Sequence, residues 1–457
     1  MSGQGTVLSI GSASVSVPST AHLTGLLLAN LQASLGTAHA DTAPGSLHGT
    51  TTAPVTLPGP TGGGNNALFI PDSDDGLISV PGGYQAVLYQ GQGTLTGGTS
   101  TQVIVGDLNY SGGAGTVVAG VTSGTVSSPA ASSVMDTTAG AMLSFAGGSS
   151  SVTSGAAGQT IQLDGGANMV WLTDTSGGAA GTVFANGAGQ PGGNWVSMVG
   201  GASGEFLGGG SVASSVFGGT GSDTVIAGSQ VLYTGGGGNN LFVGGTGMST
   251  VYGAANETIY SGAGGGVYSL AANSSDFVVA HGGAASSSMA ADTVMLGSGT
   301  VMSVVWGNSN ENMAIGAPTN ATGALVVAYG TNDSIALANT TTSGVMNNEI
   351  VMWNANFGQS AFTGNTTLTG SDAGHDIFVM FGNLTQFGST AEAAHTIVIN
   401  NWQSSDLLNL SAGYSAADVQ TAQQAIAAGN TQFTLADGTT VQLNGAAKPG
   451  VNQIYHQ

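Results

Sequence analysis

Glycine doublets at a fixed spacing constrain this chain more than any other feature in it. Three blocks, Gly218–Ile226 (GGTGSDTVI), Gly235–Val243 (GGGGNNLFV) and Gly244–Tyr252 (GGTGMSTVY), share one nine-residue pattern. Glycine holds the first, second and fourth places, a polar residue (Asp223, Asn240 or Ser249) the sixth, and a large apolar residue the eighth. Glycine supplies the left-handed backbone a tight turn needs. The three residues after the sixth place suit a short strand that points its apolar side chain inward. A unit this small cannot bury its apolar face alone and must stack on neighbours. Gly218, Gly235 and Gly253 follow one another at 17 and 18 residues, room for two short strands and two turns. Asp223 and Asn240 are therefore expected one coil apart on the same edge.

Composition then decides which partners are open to such a stack. Its 457 residues suffice for one long solenoid or for two to three compact domains. One basic side chain, Lys448, stands against 22 acidic ones, a formal charge of −21. Ion pairs cannot organise this fold. Nucleic acid is excluded as a partner because phosphate neutralisation requires Lys and Arg, and attraction to an anionic membrane surface fails for the same reason. The remaining counter-charges are divalent cations or a basic partner. The absence of cysteine removes disulfides, thiolate metal sites and thiol nucleophiles.

Along the chain, three regions separate. Residues 1–65 hold Leu23–Leu35, a helix-compatible apolar run too short to span a membrane. Nothing basic precedes that run, so it lacks the positive region of a secretory signal despite Ala38-His39-Ala40. It is expected as a short helix, followed over Thr42–Gly64 by an extended, proline-bearing arm. Residues 66–395 repeat short strands between Gly, Ser, Asn and Thr turns, as at Gln102–Gly106, Gln159–Leu163 and Met169–Leu172, which reads as a β-solenoid body. Residues 396–457 change again. Ser415 with Asp418 predicts a capping box opening a helix that Gly429 ends, and Asp437-Gly438 predicts a hairpin turn between Gln432–Leu435 and Thr440–Leu443. The expected fold is all-β, a β-roll or parallel β-helix-like solenoid with a short N-terminal helix and a C-terminal α+β cap.

The three blocks together resemble the GGxGxD nonapeptide of RTX proteins, which bacteria export by type I secretion. The segment NNWQSSDLLNLSAGYSAADVQ with TQFTLADGTTVQL is similar to the C-terminal region of such proteins. The resemblance implies calcium held between turns, a location outside a Gram-negative cell or on its surface, and export without a cleaved N-terminal signal. It places Ca²⁺ at Asp223 and Asn240, with Gly218, Thr220 and Gly235 supplying backbone oxygen, as a hard cation prefers. Ser371–Val379 echoes the pattern and offers Asp372 and Asp376 as a second site.

No catalytic signature competes with this. No nucleophile elbow, phosphate loop or dinucleotide fingerprint is present. The seven histidines form no helical metal pair, and His375 between Asp372 and Asp376 suits a turn. Asp72, Asp74 and Asp75 fit an Asx turn or another calcium site. Polysaccharide lyases of similar fold lean on an Arg or Lys that the body of this chain lacks. The expectation is a non-catalytic, self-assembling structural protein: a surface-layer, filament or biofilm-matrix subunit joined through residues 22–64, with cell-surface polysaccharide a further partner. The alternative is a calcium-dependent adhesin or glycan-binding protein, which exposed aromatics in a row would favour. Trp171, Trp195, Trp306, Trp353 and Trp402 sit in apolar strands and are expected in the core.

Overall fold

The computed structural model describes residues 213–254, 256–271 and 396–457 continuously. Elsewhere between 6 and 382 it describes chiefly strands and some adjoining turns. The chain divides into two compact units, Met1–Thr224 and Val225–Gln457.

In the first unit, Thr6–Ile10 and Ala13–Val17 form an antiparallel pair. From His39 onward each strand pairs in parallel with the strand two places along. One ladder runs through His39–Thr42, Asn66–Ile70, Ala86–Tyr89, Gln102–Gly106, Gly115–Ala119, Ser132–Asp136, Ser151–Ser154, Met169–Leu172, Trp195–Met198 and Ser214–Phe217. The intervening strands, from Val55–Thr56 and Leu77–Ser79 to Thr182–Ala185 and Glu205–Gly208, make a second ladder of the same kind.

Register explains why strands of three to five residues suffice. Along the first ladder Val152, Val170, Val196 and Val216 occupy one column and are fully buried; Leu143, Ile161, Val183 and Phe206 do the same along the second. The neighbouring positions alternate outward, as the pleat requires. Burying one such side chain contributes about 1.5–3 kcal/mol, so a column of identical small gains replaces a single large core.

The second unit repeats the scheme. One ladder passes from Val231–Thr234 through Ser249–Gly253, Gly266–Leu270 and Thr293–Leu296 to Thr396–Asn400 and Thr440–Leu443. The other passes from Leu241–Val243 through Thr258–Tyr260 and Phe277–Val279 to His375–Phe381, Leu407–Leu410 and Ile454–Tyr455. Glycines let successive turns touch here: a β-carbon on Gly262 would overlap the backbone of Gly244 and Gly245.

The C-terminal segment matches its expected local chemistry. Helix α1, Ala416–Ala427, opens on the Ser415–Asp418 capping box and is followed by Gly429 at φ 85°. Gln432–Thr434 lies antiparallel on Thr440–Leu443, with Gly438 left-handed at φ 89° in the turn between them. Trp402 is fully buried and stacks on Phe378 at 6.0 Å.

Within residues 396–457, Thr396–Asn400 and Leu407–Leu410 continue the ladders from Asn365–Thr369 and His375–Phe381. The arm over Thr42–Gly64 contributes strand residues: Thr42 ends a strand paired with Asn66–Ile70, and Val55–Thr56 pairs with Leu77–Ser79. Prolines at 44, 54, 58 and 60 fall outside these strands in the sequence. The helix expected over Leu23–Leu35 lies outside the described residues, as do Asp72, Asp74, Asp75 and Asp372.

Candidate functional site

The sixth place of the repeat is where polar chemistry enters the interior. In many of the described strands the residue two positions before the buried apolar one also points inward, and the chain fills that place mostly with Asp, Asn, Glu, Gln, Ser, Thr or Gly. Asn168, Asn194 and Ser214 precede Val170, Val196 and Val216; Glu257, Asp276 and Asp292 precede Ile259, Val278 and Val294. All six polar residues are buried.

These side chains act as clamps on the backbone. Asp223 accepts the N–H of Gly204, which precedes the strand Glu205–Gly208, at 2.9 Å, and the N–H of Gly219 in its own turn at 3.2 Å. Asp276 accepts from Glu257 N–H at 2.9 Å, and Asp406 from Asp376 N–H at 3.2 Å and Gln403 N–H at 2.8 Å. Neutral groups follow the same geometry: Asn194 Oδ1 accepts from Asn168 N–H at 3.3 Å, and the Ser249 hydroxyl from Val231 N–H at 3.2 Å. One side chain thus closes its own turn and ties it to the preceding strand of the same ladder, satisfying N–H groups that a glycine turn would otherwise bury unpaired.

Ionisation at these places is costly because no Lys or Arg faces them. Burial pushes Asp223 up to about 6, and the Gly204 and Gly219 N–H groups only partly offset it. Burial likewise pushes Asp292 to about 6, against the lowering influence of the Ser261 hydroxyl and the Gly266 N–H. Asp406 reaches about 7, raised by burial and by the neighbouring Asp376 carboxylate. Asp418 shows the opposite outcome at the helix start. Burial pushes it up, but N–H groups of Ser415 and Ala436 and the Ser415 hydroxyl outweigh that and hold it below the usual carboxylate range.

The residues expected to hold calcium take these positions. Gly218 is half-buried and Thr220 exposed. Asp223, in the first unit, has both carboxylate oxygens engaged by backbone N–H groups. Asn240, in the second unit, donates its side-chain N–H to Glu257 Oε1 at 3.0 Å, and a β-carbon on Gly235 would press on that same oxygen. Asp376 accepts from the Ser371 N–H and hydroxyl, while His375 is exposed with Nδ1 3.2 Å from the Ser405 carbonyl. Among the described residues, no three His, Asp or Glu side chains gather into a group that could hold a metal.

Glu257, Asp276, Asp292, Asp333 and Asp406 hold the same structural place and escaped the nonapeptide pattern because no glycine doublet precedes them. Their signal is shorter: an acid or amide, one free position, then a large apolar residue, as in Asp276-Phe277-Val278 and Asp406-Leu407-Leu408.

Outside the ladders' interior, the tryptophans correct the expectation of a core role. Trp402 is buried, but Trp171 and Trp195 point outward from the first unit and are half-exposed. They line up with Phe217: the Trp171 and Trp195 ring centroids lie 5.4 Å apart at 62°, and those of Trp195 and Phe217 5.4 Å apart at 44°. Trp306 and Trp353 have side chains outside the described residues.

Fold and site together define a predominantly β chain of in-register parallel ladders clamped by buried polar side chains. No protein-family model, curated protein or solved structure matches it. Among the described residues no helix is long and apolar enough to cross a membrane.

Proposed function

We propose that the ladders wind as a β-solenoid and that the protein is a non-catalytic, secreted scaffold that assembles with copies of itself at a Gram-negative cell surface. The observation that carries this is the unequal finish of the ladders. Near the C-terminus, Thr440–Leu443 is covered along its edge by the antiparallel strand Gln432–Thr434, with α1 packed beside it. At the other end, among the described residues, His39–Thr42 and Val55–Thr56 each pair along one edge only. An uncovered parallel strand presents N–H and C=O groups that template another chain. Residues 22–64 are therefore the proposed contact between copies.

Calcium belongs to the same proposal, as the charge that would relieve buried carboxylates in a chain with a single Lys. At Asp223 and Asn240 it would have to replace the hydrogen bonds to Gly204, Gly219 and Glu257, and ion binding would then contribute to folding.

Negative-stain electron microscopy of the purified chain, with calcium and then with chelator, tests both parts. Ordered filaments or sheets that disappear on deletion of residues 1–64, with the strand signal in circular dichroism retained, support the assembly reading. Identical assemblies from the deleted chain, or dispersed particles from the full chain in both conditions, refute it. Assemblies indifferent to chelator keep the scaffold and remove the calcium.

A further inference from the structure

The outward face of Ser151–Ser154, Met169–Leu172, Trp195–Met198 and Ser214–Phe217 is unlike an ordinary solvated sheet. Register sets its outward residues in two columns. One holds Ser151, Met169, Trp195 and Ser215, the other Thr153, Trp171, Ser197 and Phe217. None of the eight is charged, and Met169 is 44% exposed. The three aromatic rings alternate between the columns, so they climb the ladder as a zigzag with a ring at each successive strand. Ser151, Thr153, Ser197 and Ser215 place hydroxyls beside them, and Met169 takes the place next to Trp171. Three consecutive coils thus present aromatic surface at the strand repeat of about 4.8 Å, edged by small donors and acceptors.

We infer that this face binds a neutral polysaccharide lying along the ladder axis. A linear chain of pyranose rings presents C–H faces at intervals close to the strand spacing, and its hydroxyls fall to either side. The negative faces of indole and phenyl rings attract those C–H groups, and the Ser and Thr hydroxyls meet the sugar hydroxyls. Charge selects the class. The face holds no cation to fix a uronate or sulfate, and a chain of net charge −21 repels anionic polymers. A second copy is a poorer occupant. Sheets packed face to face lie about 10 Å apart, and Trp171 and Trp195 from both copies would have to share that gap. This inference is independent of self-assembly, because the face lies on the side of the ladder and not at its edge strand.

Affinity electrophoresis of the full chain in native gels cast with hydroxyethylcellulose, dextran or galactomannan tests it. The parent should be retarded by at least one of these, and alginate should retard it no more than a plain gel. Trp171→Ala with Trp195→Ala should weaken the retarding interaction about tenfold or more, as removal of a central aromatic anchor does. Trp171→Phe with Trp195→Phe should restore most of it. Phe184→Ala, in the other ladder, should leave it unchanged, which separates loss of the face from loss of the fold. Absence of retardation by all three neutral polymers overturns the proposal, as does equal retardation of the double alanine variant. Oligomers in sedimentation velocity that the double alanine variant disperses, without retardation of the parent, overturn it in favour of a second copy.

Discussion

Asp292→Asn isolates what a buried carboxylate does in these ladders. Asp292 is fully buried at the place before Thr293, and its carboxyl is raised from 3.8 to about 6. The folded value lies above the unfolded one, so the associated stability is complete below about pH 4 and is lost as pH rises through about 6. At 1.36 kcal/mol for each pH unit between the two values, the loss reaches at most about 3 kcal/mol at pH 7.5. Asparagine keeps the shape without the charge, and the first unit shows that it serves, since Asn194 clamps the Asn168 N–H at the corresponding place. Urea unfolding followed by circular dichroism between pH 4 and 8, with chelator present, should show the parent weakening toward neutral pH. The variant should be less pH-dependent, close to the parent at pH 4 and up to about 3 kcal/mol more stable at pH 7.5. A variant less stable than the parent at pH 7.5, or one with a parallel pH profile, would refute the reasoning. The first result would mean that Asp292 is ionised and held by a cation that chelator fails to remove.

Other perturbations separate the remaining layers of the structure, each read by the same unfolding assay unless stated. Phe206→Ala empties a fully buried place in the first unit and should lower its stability by about 3–5 kcal/mol. Gly262→Ala drives a methyl group into the backbone of the neighbouring turn and should destabilise the second unit by more than about 1 kcal/mol. Ser415→Ala removes the hydroxyl that caps α1 and should cost about 0.5–2 kcal/mol, seen first as faster hydrogen exchange over Ala416–Ala427. Asp406→Asn should remove the part of the pH dependence that lies between the ordinary aspartate value and about 7; a profile unchanged over that window would show that Asp406 is not raised.

Much of this architecture is written locally. The eighth-place residues Val225, Phe242 and Val251 are all fully buried, because alternation along a three-residue strand leaves an apolar side chain no other way to leave water. The capping box at Ser415 and the Asp437-Gly438 turn were legible for the same reason: each is settled within a few residues. What failed to show was whatever depends on register between distant strands. Trp171 and Trp195 sit in apolar strands with tryptophan on one side of the pleat and valine on the other; only the pairing with Ser151–Ser154 and Ser214–Phe217 turns the two outward rings into a row with Phe217. Likewise Glu257-Thr258-Ile259 carries the short signal of an inward acid, but its partners show only when register sets Asn240, 17 residues before it, and Asp276, 19 after it, each one hydrogen bond away.

The sixth place carries the main ambiguity. An acid after a glycine turn suits a calcium ligand, and the same acid suits a clamp on two backbone N–H groups; at Asp223 those N–H groups already occupy both oxygens. Substitution along the ladder weighs between the two. A calcium site gains most from carboxylates, with neutral oxygens completing the shell, whereas this chain places Asn at 168, 194 and 240 and Ser at 214 and 249 in positions that also hold Asp or Glu. What these residues share is a side-chain oxygen placed beside a neighbouring strand of the same ladder. Where the ladders use acids raised by burial, at Asp223 in the first unit and at Asp292 and Asp406 in the second, stability should respond to pH. Calcium, if it binds, should act there as well, by holding ionised the carboxylates that burial otherwise drives toward protonation.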